Sequence, residues 1–172
     1  MALIVFSGLP GVGKTTLARA LAQAEGGVHL RIDSIEQAIR DGGGASDGDI
    51  GPIGYLVAHA VARDALAVGR LVVADCVNPL ALTREAWRPL AASCDAPLLE
   101  VETICSDLAE HRRRVETRQS DIPGLALPDW AATQARRYEP WDSAPLVIDS
   151  ARLTPQAALD ILRRRLRALG RR

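Results

Sequence analysis

The sequence predicts an α/β domain in which a parallel β-sheet carries helices on both faces. Three observations point there. Short continuous apolar runs, typical of strands buried on both faces, alternate with segments of helical periodicity. The first apolar run passes through a glycine-rich turn straight into the first helical segment. The 172 residues, 48% hydrophobic and 24% charged, are the length and composition of one globular domain with its own core.

Taken in order, Ala2 to Phe6 (Ala-Leu-Ile-Val-Phe) reads as the first strand, and Thr15 to Ala24 as a helix with Leu17, Ala20, Leu21 and Ala24 at helical spacing. Val28 to Ile32 is a second strand closing on Asp33, and Ser34 to Arg40 a helix. Asp41 to Gly51 has too little apolar content to pack and is expected to be mobile, as a substrate flap or a plain linker. Pro52 to Val68 is a helix stopped by Gly69, and Leu71 to Asp75 an apolar strand ending in a carboxylate. Thr83 to Ala92 is expected as one helix opened by a threonine cap, Pro97 to Ile104 as a strand, and Asp107 to Arg118 as a strongly basic helix. A loop with two prolines, Ile122 to Pro128, leads to a short helix over Asp129 to Tyr138 and a last strand at Leu146 to Ile148. The closing helix, Pro155 to Leu169, has Thr154 as cap, Pro155 in its first turn, Gly170 past its end and a leucine stripe at 159, 162, 166 and 169. Strands joined by helical crossovers give a parallel sheet, and function in such sheets gathers at the carboxyl ends of the strands.

Composition narrows the function classes. Net charge is zero, so the whole molecule has no field that would gather nucleic acid or an anionic membrane. Arginines 163, 164, 165 and 167 read as a solvated face at a helix C-terminus rather than a nucleic-acid footprint. No stretch reaches membrane-spanning length. The apolar start runs at once into the glycine turn without a basic leader, which reads as a strand rather than a signal peptide. Cys76, Cys94 and Cys105 fit neither a disulfide framework nor a zinc site, so a cytoplasmic protein with reduced thiols is expected.

Gly8-Leu9-Pro10-Gly11-Val12-Gly13-Lys14-Thr15 fits the pattern G-x-x-x-x-G-K-[ST], with the required strand before it and helix after it. Lys14 is the one lysine among 21 basic residues, a compact point charge where every other cation is a planar guanidinium. Glycines 8, 11 and 13 let successive amides turn into one concavity, and the helix dipole adds to their field. That is a site for a nucleoside triphosphate. Lys14 is expected to reach its β and γ phosphates, and the Thr15 hydroxyl to bind Mg²⁺.

Two strand-end carboxylates have two readings each. Asp75 is a Walker-B-type carboxylate on the metal side or a cap on the loop to Asn78-Pro79. Asp33 accepts the proton of an attacking hydroxyl or caps the following helix. Arg114 and Arg118 stand one turn apart, and with Arg137 they either neutralise phosphate charge or pair on the surface with Glu110, Glu116 and Glu139. Trp130, Tyr138 and Trp141 stack on a base or anchor a lid to the core. No role is assigned to His29, His59, His111 or Cys76.

The turn extended to Thr16, Asp33 after strand two, Val72-Val73-Ala74-Asp75 with Asn78, and the Arg114-x-x-x-Arg118 pair together resemble the small P-loop kinases of the adenylate-kinase-like class. That group includes gluconate kinase, shikimate kinase, chloramphenicol phosphotransferase and polynucleotide 5′-hydroxyl kinase, and the resemblance covers nearly the whole chain. It implies a three-layer P-loop NTPase fold with strand order 2-3-1-4-5, one domain over residues 1–172, and an arginine-bearing lid at about 112–141. It implies ATP with Mg²⁺, held by Gly8, Pro10, Gly11, Val12, Gly13, Lys14, Thr15 and Thr16, with Arg114 on the adenine and Arg118 near the phosphates. Asp33 would be the catalytic base, Lys14, Arg118 and Arg137 would stabilise the transferring group, and Thr15 and Asp75 would support the metal.

Val73 to Pro79 looks most like the polynucleotide kinase branch. That branch often carries an arginine three residues after the strand-two aspartate to hold an acceptor phosphate. Here the position is Glu36, which would repel it. The expected activity is therefore transfer of the γ-phosphate of ATP to a hydroxyl of a small, non-polyanionic molecule. A polynucleotide 5′-hydroxyl kinase and a non-catalytic ATP-binding switch are the rival readings.

Overall fold

The computed structural model describes residues 1–44 and 50–170. Among them are five strands, β1 Ala2–Ser7, β2 Val28–Arg31, β3 Leu71–Asp75, β4 Leu98–Ile104 and β5 Leu146–Asp149. They form one parallel sheet in the order β2-β3-β1-β4-β5, as the family resemblance implied. The helices are α1 Lys14–Glu25, α2 Ile32–Asp41, α3 Ile53–Ala67, α4 Ala81–Glu85, α5 Trp87–Ser93, α6 Leu108–Thr117, α7 Trp130–Ala135 and α8 Pro155–Leu169.

All six residues of β1 are buried, as a central parallel strand requires. Side chains alternate between faces, which splits the core in two. Leu3 and Val5 pack with Leu30, Val72 and Ala74 against Ala58, Ala62 and Leu66 of α3 and Trp87 and Leu90 of α5. Ile4 and Phe6 pack with Val73, Val101 and Ile148 against Leu17 and Leu21 of α1 and Ala158 and Leu162 of α8. Each fully buried large aliphatic or aromatic side chain contributes about 1.5–3 kcal/mol. Two such layers hold the β1–α1 turn rigidly at the carboxyl edge of the sheet.

Local structure departs from expectation in three places. The second strand stops at Arg31, and α2 starts one residue before Asp33. Burial of Ile32 fixes that start, and Asp33 stands inside the first turn without making a capping bond. The helix expected over 83–92 is two short helices, α4 and α5, meeting at Ala86. Pro89 has no N–H to give to Glu85, and its ring crowds that carbonyl, so a continuous helix breaks there. Thr83 does not cap; its hydroxyl donates to the Leu80 carbonyl at 2.8 Å.

The third departure is α7, which ends at Ala135 rather than Tyr138. Beyond it the backbone is extended, and the Glu139 N–H donates to the Pro79 carbonyl at 2.8 Å. Of the expected mobile stretch 41–51, Asp41 closes α2 and Ile50 is buried, while residues 45–49 lie outside the described residues. No helix among the described residues is long and apolar enough to cross a membrane.

Candidate active site

A cavity of about 1110 Å³ runs across the carboxyl edge of the sheet. Its floor is the β1–α1 turn, with Pro10, Gly11, Gly13, Lys14, Thr15 and Thr16 on its wall. Toward β5 it is lined by Arg114, Ser150 and Leu153; toward β2 by Asp33, Glu36, Arg40 and Tyr55. The segment between α6 and α7 also lines it, through residues 118–121 and 124–128.

Gly8 and Val12 shape the turn from behind. A side chain at Gly8 would overlap the Thr103 carbonyl of β4, and Val12 is buried. Gly11 has φ +83° and Gly13 φ +95°, conformations that glycine adopts without strain. Lys14 is buried, and its ammonium donates to the Leu9 carbonyl at 2.9 Å. Burial pushes its pKa down, while Asp75 and Asp33 pull it up. The three groups therefore share one electrostatic neighbourhood.

Asp75 ends β3 almost fully buried, its side chain 3% exposed. Burial alone would raise its carboxyl, but His29, the Lys14 ammonium and the Thr15 hydroxyl together hold it below the ordinary value. The His29 contact is loose: Nε2 lies 3.4 Å from Oδ2, and neither atom makes a well-aligned hydrogen bond. A buried, ionised carboxylate oxygen that accepts no hydrogen bond, beside a threonine hydroxyl, suits a Mg²⁺ ion, whose remaining ligands would come from phosphate and water. Among the described residues no group of three or more acidic, His or Cys side chains could hold a metal ion.

Of the three arginines expected at the nucleotide, Arg114 and Arg118 line the cavity and Arg137 does not. Arg114 donates to Glu110 at 2.7 Å, to the Ser150 hydroxyl at 2.8 Å and to the Ser150 carbonyl at 3.2 Å, which fixes it at the β5 end. Arg118 caps α6 at its C-terminus and donates weakly to Pro128 at 3.4 Å, its Nε left without a partner. Burial lowers the pKa of that guanidinium while nearby Asp33 opposes the effect. Arg137 is 80% exposed, pairs with Glu139 and does not line the cavity. Its neighbour Arg136 does, because the chain turns extended as soon as α7 ends.

The aromatic cluster is an anchor. Arg84, 1% exposed, donates to the carbonyls of Asn78, Glu139 and Pro140, and its guanidinium lies under Trp141 and near Tyr138. Trp130 meets the His111 ring edge-on with centroids 5.2 Å apart. Burial raises the Cys76 thiol well above its ordinary value, so it is no nucleophile at neutral pH.

Several lining groups escaped the sequence reading. Tyr55 accepts the Asn78 N–H at 3.2 Å, and burial pushes its hydroxyl pKa far up, so it remains a neutral donor facing the cavity. Arg31, Gln37 and Arg40 also line it. The run of polar residues on α2 signals Gln37 and Arg40 in hindsight: 33, 36, 37 and 40 share one helix face, visible only once the helix start is known.

The comparisons agree with this architecture. The profile of the AAA domain family matches residues 3–141. The chain belongs to that family. No curated protein matches the sequence. Among solved structures, a provisionally assigned kinase from Chloroflexus aurantiacus superposes with a TM-score of 0.74 at 21% identity, covering 98% of this chain and 97% of that one. A gluconokinase from Sinorhizobium meliloti gives 0.67 at 20% identity over 98% and 95%. The APS kinase of Mycobacterium tuberculosis, in complex with AMPPNP and APS, gives 0.63 at 17% over 94% and 95%. At such identities the likeness establishes a shared fold, the three-layer P-loop fold that the sequence resemblance implied.

Proposed function

We propose that this family member is an ATP- and Mg²⁺-dependent phosphotransferase acting on a hydroxyl of a small molecule. The observation that carries the reading is Asp33: it lines the same cavity as Lys14, interacts electrostatically with both Lys14 and Arg118, and is not used as a helix cap. The solved kinases sharing the fold, one of them with AMPPNP bound, support a nucleotide in the glycine turn.

In this reading the turn amides and Lys14 hold the phosphates, and Thr15 and Asp75 hold the metal, which supplies charge neutralisation when bound. Asp33 accepts the proton of the acceptor hydroxyl as its oxygen bonds to the γ-phosphorus and the bond from that phosphorus to ADP breaks. Arg118 neutralises the equatorial oxygens, and Arg136 takes the place that sequence gave to Arg137. Arg114, held by Ser150, borders the nucleoside end. The acceptor end carries both signs, with Asp33 and Glu36 facing Arg40 and Arg136, and so favours a compact polar molecule over a polyanion.

The test is Asp33→Asn with Mg·ATP and a panel of hydroxylated metabolites. Wild type should release ADP in response to one acceptor. The variant should bind AMP-PNP normally and lose transfer by about 10²–10⁴-fold. Wild-type enzyme that binds nucleotide yet responds to no acceptor would leave a switch protein instead.

A further inference from the structure

His111 is buried on α6, with Nε2 2.8 Å from the Pro10 carbonyl in the glycine turn. A carbonyl only accepts, so Nε2 carries the proton and donates it. The same peptide unit contains the Gly11 N–H. In a planar trans peptide the C=O and the following N–H point in opposite directions, so fixing one fixes the other. With its carbonyl drawn to α6, this peptide turns its N–H to the opposite side, and both Pro10 and Gly11 line the cavity.

A second contact binds the same two pieces. A side chain on Gly11 would lie 2.5 Å from Val115 Cγ2 and 3.5 Å from the His111 ring, so α6 sits directly on the turn. Trp130 of α7 meets the imidazole edge-on. Arg114 lies on this same helix and Arg118 caps its end. One hydrogen bond thus joins the amides that receive phosphate to the helix that carries the arginines.

We infer that His111 is a positioning residue: by holding the Pro10 carbonyl it aims the Gly11 amide at the polyphosphate and sets α6 at the distance from which its arginines reach the same ligand. The inference rests on the nucleotide-binding part of the reading above and does not need phosphoryl transfer.

The experiment compares full-length wild type with His111→Phe, His111→Asn and His111→Gln, by calorimetric titration with Mg·AMP-PNP and with inorganic tripolyphosphate. Phe keeps a flat ring against Trp130 but has no donor. Gln can place an N–H where Nε2 stands, whereas the N–H of the shorter Asn stops short of the Pro10 carbonyl, and having two variants that cannot make the bond guards against one failing to fold. Gln should bind within about twofold of wild type, and Phe and Asn about tenfold more weakly for both ligands. The equal loss for tripolyphosphate, which has no base, separates aim of the amide from general loosening of the site. Phe or Asn binding like wild type, or Gln as weak as Phe, would overturn the inference. Wild type binding neither ligand would remove the nucleotide reading and this one with it.

Discussion

Asp121 accepts a hydrogen bond from Arg31 at 2.7 Å and another from Arg19, tying the segment between α6 and α7 to the end of β2 and to α1. The two guanidiniums hold the Asp121 carboxyl far below the ordinary carboxylate range, so the link is charged at neutral pH. The aspartate is about half exposed, which limits its worth to under about 1 kcal/mol. Its effect is therefore expected in motion more than in stability. In Asp121→Ala, amide exchange over 119–128 should quicken while the melting temperature stays nearly constant. Unchanged exchange would show that packing alone closes the segment.

Arg84 is a different kind of anchor. It is buried with no carboxylate partner among the described residues, and its two terminal nitrogens donate to carbonyls on both sides of the gap between Asn78 and Pro140, while Nε makes no hydrogen bond there. Arg84→Ala strands those carbonyls and empties the space below Trp141, a combination that should cost about 3–5 kcal/mol. Chemical denaturation measures it directly. A loss below 1 kcal/mol would mean that water replaces the guanidinium without penalty.

How much of this was legible depended on where the physics is local. The β1–α1 turn was readable because glycine freedom and a single ammonium are properties of adjacent residues. Strand order was not, since nothing in β4 itself states that it pairs with β1; only the family resemblance supplied that. Asp33 was placed at the close of a strand and stands instead in the first turn of α2, because burial of Ile32 is a tertiary fact. Arg137 was chosen over Arg136 because the end of α7 is set by the bond from Glu139 to Pro79, a contact sixty residues away in sequence. His111 carried no signal at all: a lone histidine on a basic helix shows its partner only when the helix is docked.

Gly11 joins two constraints that can be separated. Its φ of +83° disfavours any side chain, and a Cβ would meet Val115 at 2.5 Å. Left-handed backbone costs a non-glycine residue about 1–2 kcal/mol. Gly11→Ala should therefore weaken AMP-PNP binding through both terms, and adding Val115→Ala should restore the steric part but leave the backbone part. Titration of the single and double variants reads the difference. Full recovery in the double variant would show that the backbone conformation costs nothing there, and no recovery that α6 can yield.

Glu36 tests the acceptor end by pH. Burial, followed by repulsion from Asp33, raises its carboxyl above the usual 4.5, and Arg40 and Arg136 oppose this only in part. The other titratable group facing it is Tyr55 of α3. Because the folded protein holds this proton more tightly than the unfolded chain, the group's stabilising contribution is present below the unfolded pKa of about 4.5 and is lost as pH rises through the folded value. At neutral pH the ionised side chain thus costs stability in the ligand-free protein. Glu36→Gln should melt higher than wild type at pH 7, with the gap closing as the medium is acidified below about 4.5. A variant that melts lower at pH 7 would mean that the 3.6 Å contact with Arg40 outweighs desolvation, and that the carboxylate is already paired before any acceptor arrives.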